Sequence, residues 1–241
     1  MSAPGTLLVA ESGEGYVSAA SHLISRELWA AAARRPGERI HVAISGGNTP
    51  LPILSDLRTR AIPWDRIDWF WVDERFVPHE DPRSNAGNAR RALFDHVQNA
   101  HVFPCPEPSA TLDLETAAKV YEEAILGALG EAPVFDLVLL GIGDDGHTAS
   151  LFPGEPELAE TSRVVVPVPA RNGREPRLTL TAPVLQSART TWVLAQGEKK
   201  RGPIGRARAT PAGPWSETPA HLLSHARGDV LWLVDAAARP A

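Results

Sequence analysis

Apolar residues recur along the chain in two alternating periods. Continuous runs rich in branched side chains occur at TLLVA (6–10), RIHVAI (39–44), RIDWFWV (66–72) and FDLVLLG (135–141). Short runs without a polar break fit strands buried on both faces. Between them the spacing widens to a helical period over 16–34, 49–60, 86–97 and 114–129; in the last, Leu114, Ala118, Tyr121, Ile125 and Leu129 share one face. Strand alternating with helix predicts parallel neighbours, because parallel strands need a crossover connection. The expected fold is therefore α/β, a mostly parallel, helix-flanked Rossmann-like sheet, with ligand held at the carboxyl ends of its strands.

The second half is less regular. RVVVPVP (163–169), RLTLT (177–181), TTWVLAQ (190–196) and DVLWLVD (229–235) read as strands with shorter connections, so a more mixed sheet is expected there. No repeat, low-complexity tract or linker interrupts the chain, and residues 1–241 read as one domain; the proline-rich FPCPEPSA (103–110) reads as a surface loop. The glycines and prolines of RGPIGRARATPAGPW (201–215) predict that no helix continues there.

Composition narrows the function classes. With 241 residues, 43% hydrophobic and 22% charged, the chain can bury a sizeable core, and disorder is excluded. A net charge of -5 and a pI near 5.9 offer no general attraction to nucleic acid or anionic lipid, so cationic side chains in a pocket would be local features. Cys105 is the only cysteine, which rules out an intrachain disulfide and suits a reducing compartment. MSAPGTLLVAESGEGY lacks a basic segment followed by a long apolar stretch, and no later run approaches the roughly 20 residues that span a bilayer. A cytoplasmic protein with neither a membrane nor a nucleic-acid partner is expected; oligomeric state leaves no signal.

Three polar, glycine-supported stretches follow predicted strands and converge on one edge of the sheet. In ISGGNTP (44–50), the small residues Ser45, Gly46 and Gly47 let backbone amides approach a sugar hydroxyl or phosphate at the start of a helix carrying Thr49 and Pro50. The same string also serves as a plain turn capped by Thr49 or Asn48. WFWVDERFVPHEDPRSN (69–85) ends an aromatic strand in Asp73, Glu74 and Arg75. An arginine there can fork onto a phosphate while carboxylates orient hydroxyls or hold the arginine, and a solvated ion cluster is the competing reading. Ser84 or Asn85 can cap the helix that begins near Ala86. In GIGDDGHTASLFPG (141–154), glycines let His147 sit at the strand mouth, and an imidazole, titrating ordinarily near 6.5, takes a proton from water readily near neutrality. A neighbouring carboxylate, Asp145 or Asp144, would fix its tautomer.

SGGNTP, VDERFVP followed by SN, GIGDDGHTASLFPG, RLTLT and GEKK, in that order from residue 45 to residue 200, resemble the 6-phosphogluconolactonase family. DGHTASLFPG is the most specific element, since the related glucosamine-6-phosphate deaminases share the GG-TP turn and the GxG-DGH string but continue differently. The resemblance implies a fold of the sugar-phosphate isomerase/deaminase type. It implies hydrolysis of 6-phospho-D-glucono-1,5-lactone to 6-phosphogluconate in the oxidative pentose phosphate pathway, with a small sugar-phosphate lactone as partner and neither metal nor organic cofactor. His147 then matches the base that activates water, oriented by Asp145 or Asp144. Arg75, Lys200 and amides near Gly46 and Gly47 match a phosphate clamp. Ser45, Asn48, Thr49, Asp73, Asn85 and Arg177 complete the expected substrate-binding set.

The chain departs from the family pattern twice. Asn48 stands where serine is usual, and the breakers after Lys200 replace a helix, so Lys200 is displaced or its segment mobile, and Lys199 can substitute by a one-residue shift. Two other functions fit the same pocket. A deaminase- or isomerase-like enzyme would use Asp73 to move a proton between C1 and C2, and a non-catalytic sugar-phosphate sensor would bind without turnover.

Overall fold

A computed structural model of the chain describes residues 5–241. The elements run β1 (Thr6–Ala10), α1 (Glu14–Arg34), β2 (Ile40–Ile44), α2 (Pro50–Leu57), β3 (Ile67–Trp71), β4 (Asp73–Arg75), α3 (Asn85–Ala92), β5 (His101–Phe103) and α4 (Leu114–Leu129). The second half adds β6 (Leu137–Leu140), β7 (Val165–Val168), β8 (Arg177–Leu180), α5 (Ala182–Ser187), β9 (Thr190–Ala195), α6 (Arg201–Ala207) and β10 (Asp229–Asp235). Seven strands form one sheet in the order β1-β10-β9-β6-β2-β3-β5, and each neighbouring pair is parallel.

The aromatic strand shows why the sheet is filled on both faces. All five residues of β3 are buried. Phe70 stacks on Phe103 with ring centroids 4.7 Å apart and meets Phe135 edge-on, while Trp69 and Trp71, one pleat away on the opposite face, both turn towards Phe94. Such pairs contribute roughly 0.5–1.5 kcal/mol each beyond the area they bury. Tyr121 of α4 closes the strand end: its hydroxyl accepts from the Trp71 amide and donates to the Trp71 carbonyl. The apolar face expected of that helix is the buried one at Ala118, Tyr121 and Ile125. One hydrophobic cluster reaches from Tyr16 to Ala238.

Several expectations change. TLLVA is an edge strand, not a buried one, and Leu8 and Val9 remain exposed. The mixed character of the second half resolves spatially: β9 and β10 join the parallel sheet, while β7 and β8 pair antiparallel with β4 in a separate three-stranded sheet. DER is thus itself a strand, and HVF (101–103) is another, both too short to carry a period. The loop after it is not wholly superficial, since Cys105 is fully buried. The largest correction concerns 201–215: α6 forms despite Gly202, Pro203 and Gly205. Pro203 sits in the first turn, where an amide has no intrahelical acceptor to lose, and buried Ile204 and Ala207 supply the packing that propensity lacks.

Strand order also places the site. From β2 the chain winds outward through β3 and β5, then returns to the other side of β2 with β6 and continues through β9 to β10. Such a reversal leaves a crevice at the carboxyl ends of the two central strands, here β2 and β6.

Candidate active site

Beyond β2 the chain passes through Ser45, Gly46 and Gly47, and beyond β6 through Gly141, Ile142 and Gly143; the two exits wall a cavity of about 200 Å³. Asp73, Arg75 and Asn85 line it from the β4 side, Arg177 from β8, His147 to Ala149 from the loop after β6, and Lys200 from the segment leading into α6. Close approach dictates two of the glycines. A Cβ on Gly46 would lie 1.8 Å from Asn85 Oδ1, and one on Gly143 would lie 2.0 Å from His147 Nδ1. No other residue lets the imidazole and the amide side chain sit where they do.

His147 is held from one side only. Its Nδ1 is 2.6 Å from Asp145 Oδ1, and the same oxygen accepts from the His147 backbone amide at 3.0 Å. Burial alone would raise the Asp145 carboxyl, but these bonds from the ring and the amide prevail and bring it down to about 2. An ionised carboxylate can only accept, so Nδ1 donates to it, and Nε2 of this cavity-lining residue has no protein partner. The ring also rests against Phe152 at 4.6 Å between centroids. The choice between Asp145 and Asp144 is resolved: Asp144 turns away, its Oδ1 accepting from Lys200 Nζ at 2.6 Å, and that bond holds its carboxyl below the usual range.

The cationic wall is built on the small sheet. Arg75 and Arg177 are direct partners across the β4–β8 ladder. Like charges so placed repel, which suits a site whose occupant is an anion. Arg75 is fixed by bonds from NH1 to the Asn85 side chain at 2.8 Å and the Arg83 carbonyl at 2.7 Å. Burial, reinforced by Arg75 and opposed by Asp73, lowers the affinity of Arg177 for its proton. Arg75 Nε, Arg177 Nε and Ser45 Oγ are buried with no hydrogen-bond partner.

Glu74 has a different task. Its two oxygens accept from the amides of Arg75, Asn85 and Ala86 and from the Ser84 hydroxyl, so the buried carboxylate is saturated at the start of α3, where Ser84 is the cap, accepting from the Gly87 amide. Asp73 is likewise engaged, Oδ2 accepting from Ser150 Oγ at 2.6 Å and its carbonyl accepting from Asn85 Nδ2.

The sequence-predicted residues Ser45, Gly46, Gly47, Asp73, Arg75, Asn85, His147, Arg177 and Lys200 therefore come together, with Asp145 behind the imidazole. Asn48 and Thr49 do not line the cavity, and Asn48 faces solvent without capping α2. Lys199 is exposed beside the cavity-lining Lys200, so no one-residue shift is needed. Ile142, Thr148 and Ala149 are additional lining residues. Thr148 ties back to the Gly141 carbonyl, and Ala149 is left-handed at φ 52°, a strain that no residue type announces. Among the described residues no group of three or more His, Cys, Asp or Glu could hold a metal ion, and no helix is long and apolar enough to cross a membrane.

An imidazole with one nitrogen free of protein partners lines the same crevice as Arg75, Arg177 and Lys200, an arrangement able to activate water beside an anchored anion. Comparison with known proteins supplies the family. Residues 11–232 match the profile of the glucosamine-6-phosphate isomerases/6-phosphogluconolactonase family. The chain is 40% identical over 198 residues to the 6-phosphogluconolactonase of Synechocystis sp., covering 80% of this chain and 81% of that one. It is 37% identical to the Mycobacterium leprae 6-phosphogluconolactonase, with 91% of each covered. The solved 6-phosphogluconolactonase of Trypanosoma brucei superposes with a TM-score of 0.84 at 28% identity over 98% of both chains.

Proposed function

We propose that this chain, which belongs to the glucosamine-6-phosphate isomerase/6-phosphogluconolactonase family, hydrolyses 6-phospho-D-glucono-1,5-lactone to 6-phosphogluconate, the reaction of the oxidative pentose phosphate pathway named for its relatives. The observation that carries the chemistry is that His147 lines the cleft with Nδ1 locked to Asp145 and Nε2 without a protein partner. Arg75, Arg177 and Lys200 take the phosphate, and the amides of the Gly46–Gly47 turn lie beside them. This grip fixes the lactone carbonyl relative to the imidazole.

His147 removes a proton from water as its oxygen bonds to the carbonyl carbon. Asp145 stabilises the imidazolium that forms and remains ionised itself. Exit amides without a protein acceptor stabilise the oxyanion; those of Ser45 and Gly143 are already committed to the Leu139 and His147 carbonyls. On collapse the bond from the carbonyl carbon to the ring oxygen breaks, and the imidazolium returns its proton to that oxygen, giving the open acid and restoring the base. Asp73 is poorly suited to proton transfer between C1 and C2, because its carboxylate already accepts from buried Ser150.

The test generates the lactone in the cuvette and follows acid release above the spontaneous blank, with glucosamine 6-phosphate assayed in parallel for ammonia. Catalysed lactone opening without ammonia release is expected. Ammonia release would indicate a deaminase, and tight 6-phosphogluconate binding without turnover a sensor.

A further inference from the structure

Two adjacent aspartates on the loop after β6 divide their work. Asp145 is spent on the imidazole, whereas Asp144 reaches in another direction to a lysine. Lys200 lines the cleft and Asp144 does not, so the carboxylate grips the ammonium from outside the cavity. The Asp144 backbone is tethered in turn, its carbonyl accepting from Arg206 NH2 of α6 at 3.2 Å. An ammonium has three donors; one is used, and two are left for a ligand. A lysine on its own loses rotamer freedom when it is fixed, and a partner already holding it reduces that loss at the moment of binding.

We propose that Asp144 is a positioning residue for the phosphate grip: it anchors the Lys200 ammonium at the rim of the cleft, ready for the anionic end of the substrate. The proposal rests on the lactonase reading for the identity of the ligand. Asp144 also brings a negative charge near a phosphate, and the two effects oppose one another. Pre-orientation prevails here because the carboxylate is committed to Lys200 at 2.6 Å and stands outside the lining.

Asp144→Asn, Lys200→Gln and the double variant decide the matter. Asp144→Asn should raise KM for the phosphorylated lactone roughly two- to fivefold, the range of an exposed ion pair, with kcat unchanged. It should weaken inorganic phosphate binding, measured by calorimetry, by the same factor. Hydrolysis of unphosphorylated gluconolactone should be unaffected, and in the Lys200→Gln background the Asp144 substitution should add nothing. Tighter phosphate binding in Asp144→Asn, an unchanged KM, an equal loss on both lactones, or additive effects in the double variant would each overturn the proposal. A wild-type protein that opens neither lactone would sink the lactonase reading alone, since the phosphate titrations still report on Asp144.

Discussion

Each end of the parallel sheet holds a histidine beside carboxylates, and the two sites could hardly differ more in what they leave available. At the amino end His41, buried in β2, lies with Nε2 3.5 Å from Asp68 and Nδ1 3.8 Å from Asp136. Both carboxylates are already served. Arg39 binds Asp68, which His101 also approaches, while Arg35, Arg189 and the His41 amide converge on Asp136. Burial keeps His41 below its ordinary proton affinity despite these acids. At the carboxyl end one carboxylate holds one nitrogen of His147, and the other nitrogen has no protein partner. A histidine with an acidic neighbour is therefore not enough to mark a candidate base: both nitrogens of His41 lie 3.5 and 3.8 Å from carboxylates already bound to arginines, whereas only one nitrogen of His147 meets a carboxylate, and that carboxylate serves no arginine.

Exchanging the damage between the ends breaks the comparison most sharply. His147→Ala should lose roughly 10²–10⁴ of the catalysed rate while a denaturation midpoint moves little, since the side chain is only half-buried. Asp136→Ala should do the reverse, costing about 3 kcal/mol of stability, towards the lower end for a buried pair because Arg35 and Arg189 can reach solvent. Its rate per folded molecule should stay at the wild-type value, and an Asp136 variant that is stable but inactive would end the division of roles. A smaller effect is expected from Asp145→Asn, whose amide oxygen still accepts from Nδ1 but supports the imidazolium less. A roughly tenfold fall in kcat, about 1.4 kcal/mol, follows from replacing a charge-assisted bond by a neutral one, and steady-state kinetics will show it.

The smallest effect is a pH slope. His41 has a lowered affinity in the folded chain, so on acidification the unfolded state takes the proton first. Its contribution to stability is complete above the unfolded value of about 6.5 and declines as pH falls towards the folded one, by at most about 1.4 kcal/mol per pH unit. Chemical denaturation at pH 7.5 and 5.5 should show wild type losing more than His41→Gln. Parallel losses would remove His41 as the cause.

Much of this was legible before any coordinates. The central strands β2, β3 and β6 follow from uninterrupted apolar runs, and the convergence of SGG, DER and DGH follows from where parallel strands end. What escaped has physical reasons. Asp144 and Asp145 look alike in a string, and only the loop's path sends one to the imidazole and the other to Lys200. Glu74 read as part of an ion cluster, but its partners are amides of α3, invisible to residue type. Helix α6 defeated a propensity argument because burial of Ile204 outweighs the local cost of its glycines. Nothing in His41 as a letter separates it from His147; the flanking glycines of the second do, since a crowded backbone cannot place a ring at an open edge.

The cleft's two walls leave strands that are neighbours in the sheet yet far apart in the chain, joined at their mouths by the bond from the Ser45 amide to the Leu139 carbonyl. Whatever occupies the cleft spans that seam like a staple and ties the early-sequence half of the sheet to the late one. Occupancy is thereby coupled to the integrity of the whole sheet: by mass action, ligand at a hundred times its dissociation constant adds about 2.7 kcal/mol against unfolding. A cell rich in sugar phosphate would hold this enzyme in a sturdier form than a starved one.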